Sequence, residues 1–238
     1  MEGFLTKEQK RRYSRQIAVP EIGGEGQEKI CNSKVLIIGC GALGSMVAMQ
    51  LAGAGVGTIG ICDFDKIDVS NLQRQIFYKN SEIGELKLEI LEKRIKDLNS
   101  EIDIKTFGSL ITGKKAALIF SEFDFIVDAT DNPESKKIIG EVSKNCLKPC
   151  CIAGVKDFEG QIMTFLPEDS RFEEYFGITS ADGFLPCSLG GVMGPTVALC
   201  ASIQASEVIK YIVNKGNLLS GELFKFNLLD NSFHKFSL

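Results

Sequence analysis

The sequence predicts an α/β protein with a doubly wound sheet, parallel in its first half and largely antiparallel in its second. Three observations lead there. Short apolar, β-branched runs alternate with stretches of helical period; a glycine-rich turn joins the first strand to the first long helix; and the late strands lack the helical spacers that parallel crossovers need. Lys34 to Ile38 reads as a buried strand, followed by the turn and a helix from about Ala42 to Ala54. Thr58 to Cys62 is the second strand, whose end brings Asp63 and Asp65 to the sheet edge where such folds bind ligands. A polar loop, Lys66 to Glu82, comes next. From Gly84 to Asn99, the residues Leu88, Leu91, Ile95 and Leu98 recur at helical spacing, with Ser81 available as a cap. Ile102 to Phe107 and Phe123 to Ala129 read as further strands, and Pro133 suits a helix start, where its missing amide proton costs nothing. Gly160 to Leu166 and Gly221 to Asn227 are alternating strands. Between them, Pro167 to Pro186 reads as a crossover loop over the site, and a long helix within Gly191 to Asn214 carries Gly194, Ala198, Ala201 and Ala205 as a stripe for close packing.

Composition narrows the function. The chain has 238 residues, 44% hydrophobic and 24% charged, the balance of a protein that buries a sizeable core. A formal net charge of -4 recommends neither a nucleic acid nor an anionic membrane as partner. Met1 to Arg15 is polar where a secretory signal needs an apolar core, and no uninterrupted apolar run approaches the ~20 residues that span a bilayer, so a cytoplasmic location is expected. Most of the eight cysteines sit in apolar company and are expected to be reduced; Cys150 and Cys151 read as alternate faces of a buried strand. With one histidine and no Cys-x-x-Cys pair, zinc is not expected.

The chemistry begins at Gly39-Cys40-Gly41-Ala42-Leu43-Gly44. Gly39, Gly41 and Gly44 let the backbone turn tightly, so that amide protons and the helix dipole meet a phosphate near Ala42. Asp63, about twenty residues on, can accept ribose hydroxyls. Together these give a Rossmann-like adenosine-nucleotide site, for which a plain glycine turn with a solvated aspartate is the bland alternative. The stretch Asp63-Phe64-Asp65 followed by Ser70-Asn71-Leu72-Gln73-Arg74-Gln75 points past a dinucleotide toward ATP. An Arg74 fork can neutralise phosphate oxygens and Asn71 can orient them; a surface ion pair between Arg74 and one of the aspartates is the alternative. Lys87 falls in the first turn of a helix, where a cation opposes the macrodipole unless an anion is near. Its alternative is a pair with Glu82, Glu85 or another neighbouring carboxylate. In Asp128-Ala129-Thr130-Asp131-Asn132, Asp131 can supply the single carboxylate that magnesium prefers beside phosphate and water oxygens, although Asp128 and Asp131 can instead cap the helix at Pro133.

These residues, with Arg12-Tyr13-Ser14-Arg15-Gln16-Ile17, Glu159-Gly160-Gln161-Ile162 and Gly191-Val192-Met193-Gly194-Pro195, resemble the ThiF/MoeB/HesA family of sulfur-carrier adenylyltransferases within the ubiquitin-activating-enzyme-like superfamily. The resemblance runs over nearly the whole chain. It implies one domain over 1–238, with a nucleotide-binding half and N-terminal helices in 1–166, a crossover loop in 167–190, and a helix and strands in 191–238. It further implies an eight-stranded sheet, a homodimer, ATP with Mg2+, and a ubiquitin-fold carrier protein ending in Gly-Gly. In its terms Arg15 reaches the neighbouring subunit's triphosphate, Arg74 and Lys87 hold phosphates, Asp131 ligates magnesium, and Asp63 takes the ribose, with Asp65, Ser70, Asn71, Gln73 and Asn132 around the nucleotide. The adenylated carrier would then meet a cysteine desulfurase or another sulfur donor, in thiamin, molybdopterin or related synthesis. Cys187 matches a cysteine that some relatives link covalently to the carrier and others spare. The zinc-binding Cys-x-x-Cys pairs of many members are missing; Phe172 to Phe176 stands where one would be. Other classes stay open: activation of a small-molecule, peptide or tRNA carboxylate, an NAD-linked oxidoreductase, or a nucleotide-sensing module.

Overall fold

The computed structural model describes residues 5–109, 113–169 and 191–238. Among them, eight strands form one sheet: β1 (Lys34–Ile38), β2 (Thr58–Cys62), β3 (Asp103–Phe107), β4 (Phe125–Asp128), β5 (Cys150–Lys156), β6 (Glu159–Phe165), β7 (Glu222–Asn227) and β8 (Ser232–Ser237). Their order is β3-β2-β1-β4-β5-β6-β7-β8. β1 to β5 pair in parallel, and β5 to β8 pair antiparallel. The predicted change from parallel to antiparallel is therefore present, and it falls between β5 and β6.

Both faces of the inner parallel strands are covered, which is why β1, β2 and β4 read as largely apolar runs, while the edge strand β3 is polar at Asp103, Lys105 and Thr106 and only partly buried. In β1, Val35 and Ile37 join one core with Leu51, Ile59 and Leu91, while Leu36 and Ile38 join the other with Phe120, Phe123 and Ile139. Helices α3 (Gly23–Asn32), α4 (Ala42–Ala54), α5 (Lys87–Leu98) and α8 (Gly194–Val213) belong to the first face, and α6 (Gly113–Ser121) and α7 (Pro133–Asn145) to the second. Removing a fully buried side chain such as Leu91 costs about 2–5 kcal/mol.

The short helices α1 (Lys7–Arg12) and α2 (Ser14–Ile17) are tied to the ends of the core helices. Gln16 and Gln27 each donate from Nε2 to Ala54 O at 3.0 Å, and Asn99 donates to Ala52 O at 3.1 Å and to Tyr13 Oη at 2.8 Å. The two glutamines satisfy the Ala54 carbonyl, and Asn99 adds a second donor to Ala52 O, which already accepts from Gly55 N at the end of α4.

Helix α5 departs from its expected bounds. The isolated bridge between Lys66 and Leu86 holds Leu86 extended, so the helix starts at Lys87, and Ser81 falls in a separate 3-10 turn, Asn80–Glu82, where it caps nothing. Helix α8 is long and apolar enough, by length and composition, to cross a membrane. Here it packs on α3, α4, β5 and β6 and buries Gln204 and Glu207. Most of the predicted crossover loop, residues 170–190, lies outside the described residues; Pro167 to Asp169 are within them.

Candidate active site

Strand order reverses between β1 and β4, and the crevice beyond the carboxyl ends of such strands is where ligands bind in open α/β sheets. A cavity of about 580 Å³ lies there. It is lined by Gly39, Gly41 and Ala42 of the glycine turn, by Asp63 and Asp65 after β2, by Asn71, Arg74, Gln75 and Lys87, by Asp131 and Asn132 after β4, and by Lys156, Glu159, Gln161 and Lys225 of β5 to β7.

The glycine turn has a different reason at each position. Gly39 takes φ +98, and a Cβ there would stand 2.8 Å from Ala129 O. At Gly44 a Cβ would stand 1.7 Å from Gly39 O, so only glycine lets α4 begin this close to β1. At Gly41, the residue before α4, the nearest atom would be Gln75 Nε2 at 3.8 Å. This part of the turn leaves backbone open to the cavity. Asp63 braces it, accepting from Cys40 N at 2.6 Å and from Asp65 N at 2.7 Å. Tyr78, buried behind, donates its hydroxyl to Cys40 O at 2.7 Å; burial pushes its pKa far up, so the phenol keeps its proton. Burial, with help from Asp63, likewise drives the Cys40 thiol up.

Lys87, only 5% exposed, donates to Asp65 Oδ2 at 2.9 Å. The neighbouring carboxylate is thus Asp65, while Glu82 pairs with Arg94. Arg74 donates to Ser70 O at 2.9 Å and makes no ion pair among the described residues, so the surface pair considered for it is not formed. Asp68 organises this segment by accepting from Ser70 Oγ at 2.7 Å and Ser70 N at 2.8 Å, and those bonds hold its carboxyl below the usual range. Asn71 accepts from Asp68 N at 3.2 Å.

At the end of β4 the two aspartates separate in role. Asp128 is fully buried and accepts from Thr130 N at 2.9 Å, Thr130 Oγ1 at 2.6 Å and Lys136 Nζ at 3.2 Å. Asp131 is exposed in the cavity and makes no hydrogen bond or ion pair with the described residues. Neither caps α7. Asn132 does so, its Oδ1 accepting from Ser135 N at 2.8 Å, with Pro133 next in line.

Not every predicted residue lines the cavity. Ser70 spends its hydroxyl on Asp68, Gln73 reaches Val192 O at 3.5 Å, and Gly44 shapes the turn from behind. Arg15 is exposed on α2 and is absent from the cavity wall. Cys187 lies outside the described residues. Cys150 and Cys151 are buried in β5, as expected, with burial raising both thiols. No group of three or more His, Cys, Asp or Glu able to hold a metal occurs among the described residues. The cavity also contains residues that sequence reasoning did not assign to it: Lys136, Lys156, Glu159, Gln161 and Lys225. Gln161 and Lys225 are register partners on β6 and β7, a pairing with no one-dimensional signal, and Lys225 meets Glu159 at 3.3 Å.

The family model described as "ThiF family" matches residues 13–238. The chain is 35% identical over 238 residues to the "Probable molybdopterin-synthase adenylyltransferase" of Gracilaria tenuistipitata var. liui, covering 98% of this chain and 66% of that one. It is 38% identical over 219 residues to the "Adenylyltransferase and sulfurtransferase MOCS3" of Dictyostelium discoideum, covering 91% and 52%. With the "Sulfur carrier protein adenylyltransferase" of Thermus thermophilus it shares 32% over 240 residues, covering 98% and 89%. The chain thus spans about half to two thirds of the first two relatives and most of the third. The fold is shared with the crystal structure of SeMet PaaA (TM-score 0.82, 23% identity, 100% of this chain and 85% of that one). It is also shared with Escherichia coli MccB crystallised with ATP (TM-score 0.79, 22% identity, 100% and 73%).

Proposed function

The chain belongs to the ThiF family, and on that premise we propose that it is an ATP-dependent adenylyltransferase acting on the C-terminal glycine carboxylate of a ubiquitin-fold sulfur-carrier protein. One observation carries the reading: the glycine turn, Arg74, Lys87 and the Asp131 carboxylate, which has no partner among the described residues, meet in a single cavity. The opened amides near Gly41 and the start of α4 receive phosphate oxygens, and Asp63 accepts from the ribose. A carboxylate oxygen of the carrier attacks the α-phosphorus, the bond from that phosphorus to the bridging oxygen breaks, and pyrophosphate leaves with the electron pair. The product is an acyl-adenylate, which a sulfur donor such as a cysteine desulfurase then consumes.

No side-chain nucleophile is needed for that step, so catalysis falls to positioning and charge neutralisation. Lys87 and Arg74 offset the charge that builds on the departing phosphates. The donor set fits magnesium: of the carboxylates lining the cavity, Asp63, Asp65 and Glu159 are held by Cys40 N, Lys87 and Lys225, Asp131 has no partner among the described residues, and no all-protein cage occurs among them, which suits an ion that keeps phosphate and water oxygens. When bound, Mg2+ neutralises phosphate charge, and Asp131 would hold it. A homodimer gives Arg15, which its own cavity does not use, a triphosphate to reach. The free thiols suit a cytoplasmic setting.

The test is ATP–pyrophosphate exchange. Exchange is expected only with Mg2+ and a small ubiquitin-fold protein ending in Gly-Gly, and R74A or K87A should lower it about 100-fold or more with the fold intact. Undiminished exchange in both variants would remove the phosphate assignment. Exchange supported by a short peptide or an amino acid, and by no carrier, would move the chain to a different carboxylate substrate.

A further inference from the structure

Lys136 is 3% exposed, lines the cavity, and lies outside every role described so far. It stands near the end of the first turn of α7 and donates to Ala153 O at 2.6 Å as well as to Asp128 Oδ2 at 3.2 Å. One ammonium thereby fastens β4 to β5 just where β4 delivers the corner Ala129-Thr130-Asp131-Asn132. Asp128 passes the constraint on by accepting from both the amide and the hydroxyl of Thr130. On the opposite face of the sheet, Gln204 of α8 donates to Asp128 O at 3.0 Å and to Cys151 O at 3.2 Å. The two strand ends are clamped from both sides, and Asp131, whose carboxylate has no partner among the described residues, follows directly in the corner.

A buried ion pair is a poor way to gain stability, because desolvation of both charges offsets their attraction, and a neutral pair of similar volume often folds as well or better. This pair sits beside the one carboxylate that the proposed function gives to magnesium. We infer that Lys136 is a positioning residue, which holds the Asp128–Thr130 corner to β5 so that the Asp131 carboxylate is presented to the metal of a bound Mg2+–ATP. The inference rests on the adenylyltransferase reading.

The informative variant is the double substitution D128N/K136M. It removes one positive and one negative charge, leaving the net charge near the cavity unchanged. The D128N side chain retains an oxygen for the Thr130 amide, while K136M loses the tie to Ala153. ATP is titrated calorimetrically into wild type and variant, once with MgCl2 and once with EDTA, and thermal unfolding is followed in parallel. Wild type should bind ATP in both buffers and more tightly with magnesium. In the double variant, with Tm within about 5 °C of wild type, the affinity in EDTA should stay within two-fold and the gain from magnesium should fall at least ten-fold. K136R, which keeps a donor to both oxygens, should retain that gain within about three-fold and serves as the deciding variant if the double one does not fold.

A folded double variant with the wild-type magnesium gain would overturn the inference and leave Lys136 a structural residue. So would a folded K136R that loses the gain. Failure of wild type to bind ATP at all would instead remove the functional reading on which the inference stands.

Discussion

Gly41 and Gly44 lie three residues apart, and what a methyl group would meet at each separates binding from folding. At Gly44 the added carbon would sit 1.7 Å from Gly39 O, a backbone atom that cannot yield without moving β1 or α4. G44A should therefore destabilise the protein by about 1–3 kcal/mol or more, seen as a lower urea midpoint. At Gly41 the nearest atom would be 3.8 Å away and the backbone is extended, so G41A should keep the wild-type midpoint. Its methyl would occupy the side open to the cavity, and calorimetry should show ATP affinity lowered at least ten-fold; unaltered affinity would place the phosphates elsewhere. The same residue-scale physics bears on the lysines. Lys87 is the first residue of α5, and Lys136 closes the first turn of α7, so both cations oppose a helix dipole at the cavity. That conflict made Lys87 legible in the sequence and was equally present at Lys136. It went unread there because Asp128 and Asp131 look alike in one dimension, and only the fold reveals which of them is buried and in need of a cation.

Among the elements, the inner parallel strands β1, β2 and β4 and helix α4 were legible because local pattern and tertiary demand agree: residues covered on both faces are largely apolar. The start of α5 was not, because a long-range bridge from Lys66 to Leu86, rather than a cap, decides it. Strand β8, with Phe233, His234 and Phe236 exposed or half-exposed at the sheet edge, has too short and mixed a pattern to stand out from a loop. Helix α8 is the converse case: its apolar composition conceals a buried carboxylate that fastens it to the sheet. Glu207 accepts from Thr164 Oγ1 at 2.6 Å and from Leu219 N at 2.8 Å, and pairs with Lys210. E207A would strand the hydroxyl and the amide without an acceptor and should cost about 2–4 kcal/mol. Urea denaturation checks this; a loss below about 0.5 kcal/mol would mean that water or a neighbouring group replaces the carboxylate.

At the scale of the whole molecule, the two-sided core that places the cavity at the strand reversal also encloses reduced cysteines. Cys40, Cys150 and Cys151 are buried, and burial holds each thiol well above its ordinary pKa in the fold, with Asp63 adding to this for Cys40, Asp128 for Cys150 and Glu207 for Cys151. In the unfolded chain the same thiols ionise near pH 8.5. Above that pH the folded state binds more protons than the unfolded one, so stability must fall as pH rises, while below it these groups contribute no slope. Each thiol should remove about 1.4 kcal/mol per pH unit between its unfolded and folded pKa values. Urea unfolding under reducing conditions at pH 8, 9 and 10 should show this decline. In C151A the fall from pH 9 to pH 10 should be smaller than in wild type by about 1 kcal/mol. Because the comparison is of slopes, any constant penalty from the lost sulfur cancels. Identical slopes in the two proteins would mean that the thiol at position 151 titrates in the folded chain, and that the core on the α8 side admits water.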